Sequence, residues 1–61
     1  MTAGEFTRKL KEAIKAEGYT SNNVTLISII DLNLSDPYKN PVFKVSCLGN
    51  NNELFEVIIE D

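Results

Sequence analysis

Three sets of side chains in this sequence could in principle do chemistry. Glu56 and Glu60 are carboxylates at even spacing in an apolar stretch, the residue type that hydrolyses glycosides or holds Mg²⁺. Cys47 is a potential nucleophile, and Arg8, Lys11 and Lys15 are cations that could meet phosphates. Spacing and company weaken each case. Four residues of strand separate Glu56 from Glu60 by about 13 Å, too wide for one ion or a catalytic dyad. No histidine is present to activate the single cysteine, and a mid-strand thiol on a core face serves as a small hydrophobe. Gly4, Gly18 and Gly49 are isolated, so no glycine-rich phosphate loop exists. The expectation is a non-enzymatic protein with no cofactor, no metal and no small-molecule substrate.

The elements that carry these residues begin with a helix. Thr2-Ala3-Gly4-Glu5 fits a capping box, and Met1 and Phe6 stand at the hydrophobic-staple positions. Phe6, Leu10, Ala13, Ile14 and Glu17 recur at helical spacing, with Gly18 as the stop, which predicts a helix over 3–17. Glu5–Lys9 and Arg8–Glu12 are favourable pairs four apart. Arg8, Lys11 and Lys15 line the side opposite the apolar stripe.

Three strands are predicted next, near 24–34, 42–48 and 53–60, each rich in Ile, Val, Leu or Phe. The connection 35–41 contains Pro37 and Pro41, which cannot donate ladder hydrogen bonds. Gly49-Asn50-Asn51-Asn52 supplies residues that tolerate a left-handed backbone, as a tight hairpin requires. The fold class is therefore α+β: an N-terminal helix on one face of a three-stranded antiparallel meander, with residues 1–61 as one small domain. Such a chain leaves much of its surface exposed, so association is a natural source of extra burial.

Apolar residues occur on both parities of the first and third strands. A sheet covered on one face alternates apolar and polar residues, so the surplus predicts an exposed apolar face. Pairing Leu32 with Phe43, Ile30 with Val45 and Ser28 with Cys47 keeps one face apolar for the helix, and Phe43–Ile59, Val45–Val57 and Cys47–Phe55 extend it. This register sets Asp31 opposite Lys44 and gathers Ile27, Ile29, Leu48, Leu54 and Ile58 on the outer face. Asp31, Glu56 and Glu60 rim that patch, the usual anatomy of a protein interface. A β-bulge near Ile29-Ile30 is the competing arrangement; it would turn Ile27 and Ile29 inward and shrink the patch to Leu48, Leu54 and Ile58.

Charge is polarised along the chain. Arg8, Lys9, Lys11 and Lys15 outweigh Glu5 and Glu12 in residues 1–15, a balance of +2. In residues 16–61, Lys39 and Lys44 face Glu17, Asp31, Asp36, Glu53, Glu56, Glu60 and Asp61, a balance of −5, for a net −3. The expected partner is a protein or a second copy of the chain. Nucleic-acid binding through Arg8, Lys11 and Lys15 is the weaker alternative, since no aromatic ladder or base-reading motif accompanies them. No stretch approaches the roughly 18 apolar residues of a membrane span, and a lone thiol suits a reducing compartment, so no membrane partner and a cytoplasmic location are expected.

On its order of elements alone, with no shared residue motif, the chain resembles some small acidic phage-encoded inhibitors, certain anti-CRISPR proteins among them. That resemblance implies an origin in a phage or mobile element and inhibition of a host nucleic-acid-processing enzyme, and carries no site residue. The double-stranded-RNA-binding domain shares the α-β-β-β order, but its second helix and that helix's basic start have no counterpart here. The nucleic-acid alternative has a direct test. A binder should shift nucleic acid in a low-salt gel and lose affinity in a Lys11→Glu, Lys15→Glu variant; unchanged migration eliminates it.

Overall fold

The helix forms where its end signals stand. A computed structural model, which describes residues 1–36 and 38–61, places α1 at Ala3–Ala16. Thr2 Oγ1 accepts from the Glu5 N–H at 3.1 Å, the forward half of the capping box. At the other end Gly18 takes φ +93°, Tyr19 N–H donates to the Ile14 carbonyl and Gly18 N–H to that of Lys15. This is the Schellman closure that a glycine makes inexpensive. Met1 and Phe6 both pack against the core, and Arg8 pairs with Glu12 at 3.1 Å. Lys9 reaches across instead, its Nζ donating to the Glu60 carbonyl at 2.7 Å.

A 3₁₀ turn at Ser21–Asn23 leads into strands β1 (Thr25–Asp31), β2 (Val42–Leu48) and β3 (Leu54–Glu60), which pair antiparallel in the order β1-β2-β3. The α+β meander is as expected. So is the unbroken β2–β3 register from Val42↔Glu60 to Leu48↔Leu54, including Phe43↔Ile59, Val45↔Val57 and Cys47↔Phe55. The core is made by α1, β2 and β3: Leu10, Ile14, Val45, Cys47, Val57 and Ile59 are buried, and no residue of β1 is among them. Phe6 and Phe43 close one end edge-to-face at 5.4 Å.

The β1–β2 register differs from expectation. Thr25 pairs with Leu48 and Leu26 with Cys47. After an extra residue, Ser28 pairs with Ser46, Ile29 with Val45, Ile30 with Lys44 and Asp31 with Phe43. The bulge falls at Ile27, two residues before the position considered from sequence. Its physical reason is visible in the rows it creates. Leu26 and Ile29, three residues apart, both lie on the helix side beside Cys47 and Val45, which only an inserted residue allows. Ser28, which an unbulged strand would point at the core, instead lies in the polar row with Ser46 and Glu56.

Strand β1 also ends three residues early. Asp31 Oδ1 accepts from the Asn33 N–H at 2.9 Å, and Asn33 Nδ2 donates to the Asn40 carbonyl at 2.9 Å, so the chain turns over Leu32–Ser35. Of the proline pair in the connection, Pro37 lies outside the described residues. The β2–β3 hairpin closes with Asn52 N–H on the Gly49 carbonyl and Gly49 N–H on that of Glu53, and Asn52 adopts φ +63°. A three-residue loop with a left-handed third position is a favoured hairpin solution, which Asn tolerates.

Gly49 has a second role. Tyr19 stacks on Phe55 at 4.5 Å and 1° between planes, and its ring lies over the buried Gly49. A Cβ at position 49 would run into the Tyr19 ring and sit 2.9 Å from Asn51 Oδ1. Gly49→Ala should therefore cost about 1–3 kcal/mol in urea unfolding, whereas Gly18→Ala, which meets no neighbour, should cost about 1 kcal/mol from backbone strain alone. Equal costs at the two sites would remove the packing role assigned to Tyr19.

Candidate protein interface

Exposure of β1 defines the site. Six of its seven residues are exposed and Asp31 is half-buried. The outer face of the sheet has three rows that cross all three strands, Ile30–Lys44–Ile58, Ser28–Ser46–Glu56 and Thr25–Leu48–Leu54, with the pair Val42–Glu60 beyond them. Ile30, Leu54 and Ile58 are 45%, 73% and 50% exposed there, and Leu48 is half-buried between its neighbours. Lys44 Nζ lies 3.5 Å from Glu56 Oε2, an ion pair across the middle of this face. Both partners are partly solvated, so the pair contributes about 0–1 kcal/mol and serves more to neutralise the face than to hold it.

The residues expected to form the interface separate into two groups. Leu48, Leu54, Glu56 and Ile58 lie on the outer face together, as anticipated. Ile29 and Asp31 do not: the bulge turns both to the helix side, opposite Val45 and Phe43. Asp31 is consequently not across from Lys44, whose place opposite is taken by Ile30. Ile27 occupies the bulge itself and is 54% exposed. Within β1, two exposed apolar residues, Leu26 and Ile30, lie outside the interface expected from sequence. The polar Ser28 in an otherwise apolar inward row was the signal that the strand could not run straight.

Turning Ile29 inward does not bury it. It remains 51% exposed because α1 runs over β2 and β3, leaving an open groove against β1 lined by Phe6, Leu10, Ile14, Val24 and Leu26. Lys11, Thr7 and Ser21 form the polar lip of that groove. Leu32, Leu34 and Tyr38 extend the apolar exposure beyond the strand. Exposed apolar surface thus surrounds β1 on both faces, a broader patch than one sheet face.

The cations lie along α1, Lys11 among them at the lip of the groove, and the thiol is enclosed in the core. Arg8, Lys11 and Lys15 are exposed on α1, with Arg8 bonded to Glu12. Cys47 is fully buried between the helix and the sheet, and burial pushes its thiol above the ordinary value. Among the described residues, no helix is long and apolar enough to cross a membrane. Comparison with protein-family models, curated proteins and solved structures returns no match.

A pH dependence follows from Cys47. Its folded-state pKa is raised, so the native state keeps a proton that the unfolded chain gives up. The stability this contributes is fully present below the unfolded value of 9.0 and is lost as pH rises through the folded one. Urea midpoints should therefore fall between pH 8 and pH 10.5 for the native chain. In Cys47→Ala the cysteine-dependent part of that fall should vanish, on a baseline lowered by the lost sulfur packing. An identical alkaline slope in both proteins would refute this assignment.

Proposed function

We propose that this protein is a small non-enzymatic interaction module that binds a protein partner through β1 and the adjoining outer sheet face. One observation carries the reading: a seven-residue strand contributes nothing to the core yet holds Leu26, Ile27, Ile29 and Ile30, each close to half exposed. Contiguous apolar exposure of this kind is uncommon on a monomer and marks a surface that another molecule covers. The arrangement of the outer face supports it, with Ile30, Leu54 and Ile58 around the Lys44–Glu56 pair and Glu60 at the margin. Exposed apolar anchors set around a neutralised ion pair give the mixed apolar and polar composition of a recognition surface.

The basic helix face supports the rival nucleic-acid reading less well. Arg8 is held by Glu12, and the neighbouring Lys9 is engaged with the Glu60 carbonyl, which leaves Lys11 and Lys15 as the two cations of that face without a hydrogen-bond partner among the described residues. Two exposed lysines on a chain of net charge −3 are a small electrostatic footprint.

Leu54→Lys and Ile58→Lys test the proposal, because both side chains are exposed and the fold should absorb either change within about 0.5 kcal/mol. With native-like circular dichroism, the double variant should lose at least tenfold in affinity for the partner that the native chain retains from host extract. Retention by Lys15→Glu should be unaffected. Unfolding of the double variant, or retention equal to that of the native chain, would sink the reading.

A further inference from the structure

β1 stands at the edge of the sheet, and its sequence Thr25-Leu26-Ile27-Ser28-Ile29-Ile30-Asp31 holds no lysine, arginine or proline. Edge strands are normally protected from pairing by such residues. The bulge at Ile27 protects one end, and at the other the inward-turned Asp31 is the strand's single charge, its Oδ1 already taken by the Asn33 N–H. From Ser28 onward the ladder is regular and continues past the strand to Leu32, whose N–H donates to the Val42 carbonyl at 2.8 Å. Because Leu32 faces β2 in this way, so do the main-chain groups of Ile30 and Ser28, while those of Ile29 and Asp31 point to the open edge.

We infer that this edge pairs with the same edge of a second copy, antiparallel about a two-fold axis at Ile30, to form a continuous six-stranded sheet; the inference rests on the interaction reading above and names its partner. The register is the one the chain's own features allow. Centred on Ile30, Ser28–Leu32 pairs with itself: Ile29 meets the partner's Asp31, Asp31 meets the partner's Ile29, and the outward groups of both make four ladder hydrogen bonds. Residues directly opposite share a face in each pair, as the pleat requires. Centring on Asp31 would set two carboxylates opposite each other, and centring on Ile29 would draw the bulge into the ladder. In the chosen register the two Asp31 residues are offset by two positions, about 7 Å along the strand, and each already has Oδ1 occupied by the Asn33 N–H.

Pairing at Ile30 joins the outer rows of the two copies into one: Ile58, Lys44, Ile30, then the same three in reverse. The central isoleucines form a close non-hydrogen-bonded pair, about 4.5 Å between Cα atoms. Five residues of edge bury less than the roughly 1,200–2,000 Å² of a stable interface, so association belongs in the micromolar to millimolar range.

Sedimentation equilibrium from about 10 μM to 1 mM tests this, together with cross-linking. The mass should rise from 6.8 kDa towards twice that value, and Ile30→Lys, which sets two like charges at the axis, should hold it at the monomer with unchanged circular dichroism. Ile30→Cys should form an intermolecular disulfide with a mild oxidant, since paired Cα atoms at that separation suit one, whereas Leu54→Cys, far from the axis, should not. A monomer mass throughout would overturn the inference while leaving the interaction module to its own partner-retention test. Dimerisation that survives Ile30→Lys but not Leu54→Lys would place the contact on the sheet face and overturn the edge pairing alone. If Ile30→Lys fails to fold, the cysteine pair decides: equal cross-linking at positions 30 and 54 rejects the axis.

Discussion

A helix is about 10 Å across with its side chains, and strands lie about 4.8 Å apart, so one helix shelters roughly two strands. Among the described residues there are one α-helix, of 14 residues, and three strands. The exposure of β1 follows from that geometric shortage. Leu10 and Ile14 seat on Val45, Cys47, Val57 and Ile59, a core drawn from α1, β2 and β3 alone. The third strand in the sheet, β1, is held by its ladder to β2 and by little else. Its apolar side chains remain in water on both faces.

The bulge at Ile27 is intelligible within the same constraint. A strand with no helix above it gains little from a strict inward face, so its register answers to its neighbours in the sheet. Leu26 and Ile29 lie beside Cys47 and Val45, and Ser28 joins Ser46 and Glu56. Polar next to polar and apolar next to apolar is the arrangement that cross-strand pairs favour. Where the helix does cover the sheet, in β2 and β3, the register is free of irregularity.

How much of this was legible in the residues varies with how local the signal is. The capped helix, its glycine stop and the Asn-rich hairpin are written in neighbouring residues and occur where expected. The β2–β3 pairing was also readable, because Lys44 and Ser46 fix the inward parity of Phe43, Val45 and Cys47, and Glu56 and Glu60 fix that of Phe55, Val57 and Ile59. Strand β1 was not, since Leu26, Ile27, Ile29 and Ile30 satisfy two registers almost equally and only Ser28 distinguishes them. The candidate surface shares this division: Leu48, Leu54, Glu56 and Ile58 were placed correctly on the outer face, while Ile29 and Asp31 were exchanged for Ile30 by the inserted residue. The early end of β1 depends on the Asp31 side chain capturing the Asn33 N–H, a local competition that apolar periodicity does not record.

The Lys9 bond to the Glu60 carbonyl and the ion pair between the Met1 ammonium and Asp61 clamp the middle of α1 and the residue that leads into it to the end of β3 and the residue beyond it. Both clamps lie at the β3 margin of the sheet, the side remote from β1. The molecule is thus fastened along one border and loosely hemmed along the other. Fluctuations should open it like a page turned from its free margin: amide protons of β1, and the β2 amides that bond to it, exchange first, and those that join β2 to β3 wait for the whole core to come apart.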